Sequence, residues 1–195
     1  MDSKFAKIST VGLPENTKPV CKRSLPKIIH DDDAATEAMI DLKLFQAASI
    51  TPTTTVTQAV EKVKQMGVKS FFVCDDHNNI LGIISSSDLL GAKTAQVASQ
   101  LNCPAQEVTV QHVMTPKSEL RAIDHASLSN MLVGHITRVL HEESLQHLLV
   151  LDTVDETAVV RGVFSARLLG SMLGETVEGD FSSSTLAEFN ARLKD

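Results

Sequence analysis

Apolar residues in the first half of the chain follow a helical period and then a strand period. Over residues 56–66 they recur on one helical face, and Thr55 and Gln58 form a capping box at its start. Gly67 is expected to end this helix. A short apolar run at 68–75 is typical of a buried strand, and 80–90 passes from strand into helix. With a short strand at 49–51, the pattern predicts strand, helix, strand, strand, helix.

The same pattern occurs a second time. Apolar residues at helical spacing over 128–140 precede a strand-like run at 145–152, and 159–170 again turns from strand to helix. Gly162 stands opposite Gly82, and Ser165 stands opposite Ser85. The repeat predicts an α+β fold of two similar units packed with pseudo-twofold symmetry.

The segments around the repeats set the expected domain boundaries. Residues 1–30 are rich in basic residues and proline and are expected to be a flexible basic arm. Residues 31–100 form the first repeat with a leading helix over 34–46, where Ala38, Leu42 and Phe45 recur at helical spacing. The acidic run 31–33 before it favours a helix start over a calcium site.

The second repeat is expected over 101–174, and 175–195 is a tail with an amphipathic helix carrying Leu186, Phe189 and Leu193. This helix could pack on its own module or on a partner, and the sequence does not decide between them.

Composition excludes several function classes. Apolar residues make up 43% of the 195 residues, enough for a core, and the net charge of -6 argues against nucleic-acid or anionic-lipid binding. No segment is apolar for long enough to be a signal peptide or membrane span. Three scattered cysteines favour a reducing cytoplasm, seven histidines show no metal-ligand spacing, and no catalytic constellation is found. We therefore expect no enzyme and no metal.

The residues that carry a family resemblance lie at matching points of the first repeat. They comprise a helix ending in Met-Gly, a strand ending in V-h-D (h, apolar) and a following G-h-h-[ST]-x-x-D segment: Met66, Gly67, Val73, Asp75, Gly82, Ser85 and Asp88. The pattern resembles the cystathionine-β-synthase (CBS) domain, and V-M-T-P at 113–116 resembles the segment that leads into a second one. The A-M-I-D-L-K segment (38–43) is similar to small stand-alone proteobacterial CBS-pair proteins.

The resemblance implies a tandem CBS pair, or Bateman module. Such a pair binds adenine nucleotides or S-adenosylmethionine as a regulatory ligand in the cleft between its repeats. It also implies a homodimer that signals through an unidentified protein effector.

Ser85 and Asp88 are the strongest site candidates. A carboxylate at this strand-to-helix turn can accept both hydrogens of a ribose diol, and nearby helix N–H groups favour phosphate. The alternative is that Ser85 and Asp88 only cap the following helix and bind no ligand.

The resemblance also implies a basic residue that binds the ligand's phosphate. The matching positions are Lys69 and Ser70 in the first repeat and Gln146 and His147 in the second. The alternative for Lys69 is an ordinary solvated lysine with no ligand. The apolar residues expected to face adenine, or else to be core, are Ile50, Val68, Ile84 and Leu145.

The second repeat departs from the pattern, since Leu168 stands where the first has Asp88. Leucine accepts no hydrogen bond, so the sequence predicts one nucleotide site per chain. Ser165 is then expected to be only an N-cap. Two alternatives stay open: an interaction protein with degenerate sites, and an enzyme with an unfamiliar site.

Overall fold

The computed structural model describes residues 28–174. Most of the predicted basic arm and the predicted helix of the C-terminal tail lie outside this range. Within it, no helix is long and apolar enough to cross a membrane. The described chain forms two four-stranded sheets with helices packed against them, which confirms the α+β class.

The first repeat has the predicted element order. β2 (Ser49–Ile50) leads into α1 (Val56–Met66), followed by β3 (Ser70–Cys74), β4 (Ile80–Ser85) and α2 (Ser86–Leu90). β2 runs parallel to β3, and β3 runs antiparallel to β4. Both hydrogen bonds of the Thr55–Gln58 capping box are present, and Gly67 ends α1 in the left-handed conformation that favours glycine.

The second repeat has the same order and the same strand directions. β6 (Arg121–Asp124) precedes α5 (Val133–Glu142), β7 (His147–Val154), β8 (Thr157–Ser165) and α6 (Ala166–Leu173). A 3-10 helix, His125–Asn130, takes the place of the first part of the predicted helix. The internal repeat is confirmed.

The two hairpins even share one irregularity. Val73 pairs with Gly82, and the register shifts between Val73 and Cys74. Val150 pairs with Gly162, and the register shifts at the corresponding point. The symmetry therefore extends to single residue pairs.

Each sheet is completed by a strand from the segment that precedes the other repeat. β1 (Ile40–Asp41), which comes before the first repeat, pairs with β8 of the second. β5 (Thr115–Pro116), which comes before the second repeat, pairs with β4 of the first. The remaining helices, α3 (Ala92–Leu101) and α4 (Val110–Val113), and two 3-10 helices, Ala105–Glu107 and Lys117–Glu119, connect the repeats.

The predicted leading helix over 34–46 is wrong. Only a 3-10 helix, Ala35–Glu37, is present there, and β1 follows it. The helical spacing does not correspond to a buried face, since Phe45 is 59% exposed. Pairing with β8 overrides the local preference.

Each repeat has its own core, and a smaller contact joins the sheets. Ile83 of the first sheet and Leu149 and Val163 of the second form one buried cluster. The sheets therefore face each other, and a cleft opens beside this contact.

Candidate ligand cleft

A cleft of about 470 Å³ lies between the two repeats. It opens where β3 and β7 begin and β4 and β8 end, because Ser70 pairs with Ser85 and His147 pairs with Ser165. Its lining residues come from both repeats and from the crossing segment between β1 and β2: Ile40, Leu42, Phe45–Ala48, Val68–Phe72, Ile83, Ser85–Ser87, Gln146, His147, Val163, Ser165–Leu168 and Ser171.

Ser85 and Asp88 form a capping box at the start of α2. Oδ2 of Asp88 accepts from the backbone N–H of Ser85 at 2.9 Å and from its hydroxyl, and Oγ of Ser85 accepts from the N–H of Asp88 at 3.2 Å. Both residues are 8% exposed, but Ser85 lines the cleft and Asp88 does not. The cap that the sequence left as the alternative is therefore formed. Among the described residues Oδ1 of Asp88 has no hydrogen-bond partner, so one acceptor oxygen is not used by the cap.

The formal charges that line the cleft are both positive. Lys69 precedes β3, and its carbonyl accepts from Ser86 N–H at 2.8 Å, which places it beside the serine cluster 85–87. Arg167 reaches the cleft from the first turn of α6. Both side chains are exposed, so they are accessible to an anionic ligand.

Comparison with known proteins identifies the family of one segment. Residues 35–94 match the sequence profile of the CBS domain family. Residues 35–94 are a CBS domain. The matched segment runs from the segment before β1 to the start of α3 and contains the first repeat, and the second repeat has the same topology.

Several solved structures are similar to this chain. An uncharacterised conserved protein from Pyrococcus horikoshii is 19% identical, with a TM-score of 0.51, and the match covers 73% of this chain and 93% of that one. CBSX2, a CBS-pair protein of Arabidopsis thaliana solved in complex with AMP, is 19% identical over 71% of this chain and 94% of that one, at a TM-score of 0.47.

The CBS domain pair of protein MJ0100, solved with 5′-methylthioadenosine and S-adenosyl-L-methionine, is 15% identical over 72% of this chain and 95% of that one, at a TM-score of 0.48. No curated protein sequence matches the chain significantly.

The residues predicted as apolar ligand contacts fall into two groups in the structure. Val68 lines the cleft. Ile50 and Ile84 are 4% and 0% exposed and belong to the core of the first repeat, and neither lines the cleft. Leu145 lines a neighbouring polar pocket instead. The cleft gains apolar surface from Leu42 and Phe45 of the crossing segment, which the sequence analysis assigned to a helix.

His147 joins the cleft to that neighbouring polar pocket and lines both. Protein atoms surround its partly exposed ring, and this burial lowers its pKa; the carboxylate of Asp88 opposes the shift. The charge of Asp88 in the first repeat thus acts on a ring of the second repeat. Burial favours the neutral ring, which can donate and accept one hydrogen bond each.

The second repeat presents a different surface to the cleft. Leu168, at the position of Asp88, is 37% exposed and lines the cleft as an apolar residue. Ser165 occupies the N-cap position of α6, but its side chain makes no capping hydrogen bond. Arg167 was missed by the sequence analysis. Alignment of the two repeats would have revealed it, because a charged residue stands there in place of Ser87.

Proposed function

We propose that this protein is a regulatory binding module that takes one adenosine-containing metabolite per chain in the cleft between its CBS repeats. In this proposal the module is a cytoplasmic homodimer without catalytic activity, and it passes its ligand state to a protein effector. The observation that carries the proposal is the chemistry of the cleft: apolar walls, a row of hydroxyl groups and two positive side chains in one space.

The walls suit a flat heterocycle. Val68, Ile83 and Leu42 line the cleft, and Phe45 stands at its exposed side. Ligand sites are mostly apolar with a few polar groups that fix orientation, and this cleft has that composition.

The hydroxyl groups and charges suit a sugar phosphate. Ser85, Ser86 and Ser87 lie next to Lys69, and no acidic side chain belongs to the lining of the cleft in the part of the chain that the structure describes. An anion is stabilised by these groups, whereas the sulfonium of S-adenosylmethionine is positive. We therefore rank an adenine nucleotide above S-adenosylmethionine.

The free Oδ1 of Asp88 is the proposed ribose acceptor. The hydroxyls of Ser85 and Ser87 lie 2.8 Å apart, and the Ser85 hydroxyl is bonded to the other carboxylate oxygen of Asp88, so the proposed acceptor adjoins the lining of the cleft. Leu168 offers no such oxygen, which supports a single site.

The proposal is tested by calorimetry and thermal shift with AMP, ADP, ATP and S-adenosylmethionine. A ligand at 100 times its dissociation constant should stabilise the fold by about 2.7 kcal/mol, or about 5 to 10 °C. Asp88→Ala should weaken nucleotide binding by about 1.5 to 3 kcal/mol.

Gln58→Ala is the matched control, because it removes the equivalent residue from the capping box of α1, away from the cleft. It should lower stability without changing affinity. If no compound in the panel binds, or if Asp88→Ala binds as tightly as the wild type, the alternative of a CBS pair with degenerate sites takes the place of this proposal.

A further inference from the structure

The positive charges of the cleft break the symmetry of the two repeats. The carbonyl of Lys69 accepts from Ser86 N–H, and the carbonyl of Gln146 accepts from Ala166 N–H at 3.0 Å, so Lys69 and Gln146 are equivalent. By the same correspondence Arg167 is equivalent to Ser87. Each repeat thus supplies one cation, the first from the residue before a strand and the second from the first turn of a helix.

Arg167 differs from the other arginines of the described chain in its partners. The other three each have a carboxylate partner. Nε of Arg121 lies 3.6 Å from Oε2 of Glu143, Nε of Arg138 lies 2.7 Å from Oε1 of Glu142, and Arg161 is paired with Asp41. Arg167 has no ion pair within residues 28–174, although it lines a cleft. Its five N–H donors are thus available to an anion from solution.

Two cations on opposite repeats favour an anion that extends from one repeat to the other. Lysine acts as a point charge, whereas a guanidinium binds a phosphate through two parallel hydrogen bonds. A single phosphate held at Lys69 and the serine cluster satisfies the first repeat alone. A phosphate beyond the first would give Arg167 of the second repeat a partner of its own.

We infer that Arg167 is a specificity-determining residue that selects nucleoside di- and triphosphates over monophosphates by binding a phosphate beyond the first. This inference rests on the proposed function, which requires only that the nucleoside and its first phosphate bind at the first repeat. It also makes the ligand a bridge between the repeats.

Calorimetric titration with AMP, ADP and ATP tests the inference in the wild type, Arg167→Ala and Lys69→Ala. The wild type should bind ADP and ATP about 10- to 100-fold more tightly than AMP. Arg167→Ala should remove this preference and leave AMP affinity within about twofold, whereas Lys69→Ala should weaken all three nucleotides. Arg138→Ala is the control, since Arg138 is an exposed arginine on α5 outside the cleft and should leave every affinity unchanged.

The titrations distinguish failure of the role of Arg167 from failure of the proposed function. Equal affinity for AMP, ADP and ATP in the wild type, or a preference that persists in Arg167→Ala, overturns the role of Arg167 and leaves the nucleotide site in place. Absence of binding by all three nucleotides overturns the role of Arg167, and it overturns the proposed function as well if S-adenosylmethionine does not bind either.

Discussion

Asp41 and Arg161 are joined by a bidentate ion pair although 120 residues separate them in sequence. The second of its two hydrogen bonds joins Nη2 of Arg161 to Oδ2 of Asp41 at 2.9 Å, and Leu42 N–H donates to the carbonyl of Arg161 at 3.1 Å. The pair thereby holds β1 on β8 and fixes Leu42 as a wall of the cleft. The guanidinium also lowers the pKa of Asp41.

Asp41→Asn should lower the melting temperature by about 4 to 8 °C, because it removes the charge partner of a largely buried arginine whose Nε already lacks a hydrogen-bond acceptor. Glu142→Gln breaks the exposed pair with Arg138 and should change the melting temperature by about 1 °C or less.

Since the Asp41 pKa is lowered on folding, the contribution of its charge to stability is present above about pH 4 and is lost as the pH falls through the folded pKa. The gap between wild type and Asp41→Asn should therefore narrow in acid, and a gap independent of pH would contradict the role of the charge.

Gly82 and Gly162 should differ in their tolerance of alanine. A Cβ on Gly82 would overlap the backbone oxygen of Thr115, which is fixed by the β4–β5 pairing. A Cβ on Gly162 would chiefly overlap the flexible side chain of Met39. Chemical denaturation should show a loss of about 1 to 3 kcal/mol for Gly82→Ala and a smaller loss for Gly162→Ala. Equal losses would show that the methionine cannot move aside.

Ile29 ties the first described residues to the second repeat. It is 1% exposed within the core of that repeat, and its N–H donates to the carbonyl of Met172 at 3.1 Å. Ile29→Ala should cost about 2 to 5 kcal/mol in the free energy of unfolding. The adjacent Ile28 is 75% exposed, and Ile28→Ala should remain within about 0.5 kcal/mol of the wild type. Similar values for the two variants would argue against this anchoring.

His147 should make the fold sensitive to mild acid. Its pKa is lowered in the folded state, so the unfolded chain binds the proton more readily, and stability is lost as the pH falls through about 6.5. The melting temperature should fall less between pH 7.5 and pH 5.5 in His147→Asn than in the wild type. His77→Asn changes an exposed turn residue and should follow the wild-type profile. If both variants behave alike, burial of His147 does not govern the pH response.

The repeated elements could be predicted because their signals are local. Thr55, Gln58 and Gly67 set the limits of α1 through contacts within a few residues, and the structure has each of them in that role. The strand pairs around Gly82 and Gly162 follow from short hairpins. Sequence periodicity is most informative for such elements.

The remaining features depend on distant partners. β1 is specified by β8, so the spacing of Ala38, Leu42 and Phe45 gave a misleading helical signal. Alternation along β4 places Ile83 and Ile84 on opposite faces, but the sequence does not say which face meets the other repeat. The structure puts Ile83 in the cleft and Ile84 in the core. Arg167 was overlooked because its significance depends on Lys69, a residue of the other repeat.

The exchange of edge strands between the repeats has a consequence for the order in which the protein can be completed during translation. The ribosome releases Asp41 120 residues before Arg161, the residue that holds it. The first repeat gains its last strand once Thr115 and Pro116 have emerged, whereas β1 has to wait until β8 is made. Of the strands within residues 28–174, the earliest to be synthesised is thus among the last to be hydrogen-bonded, and the crossing segment that walls the cleft takes its final shape only when nearly the whole described chain exists.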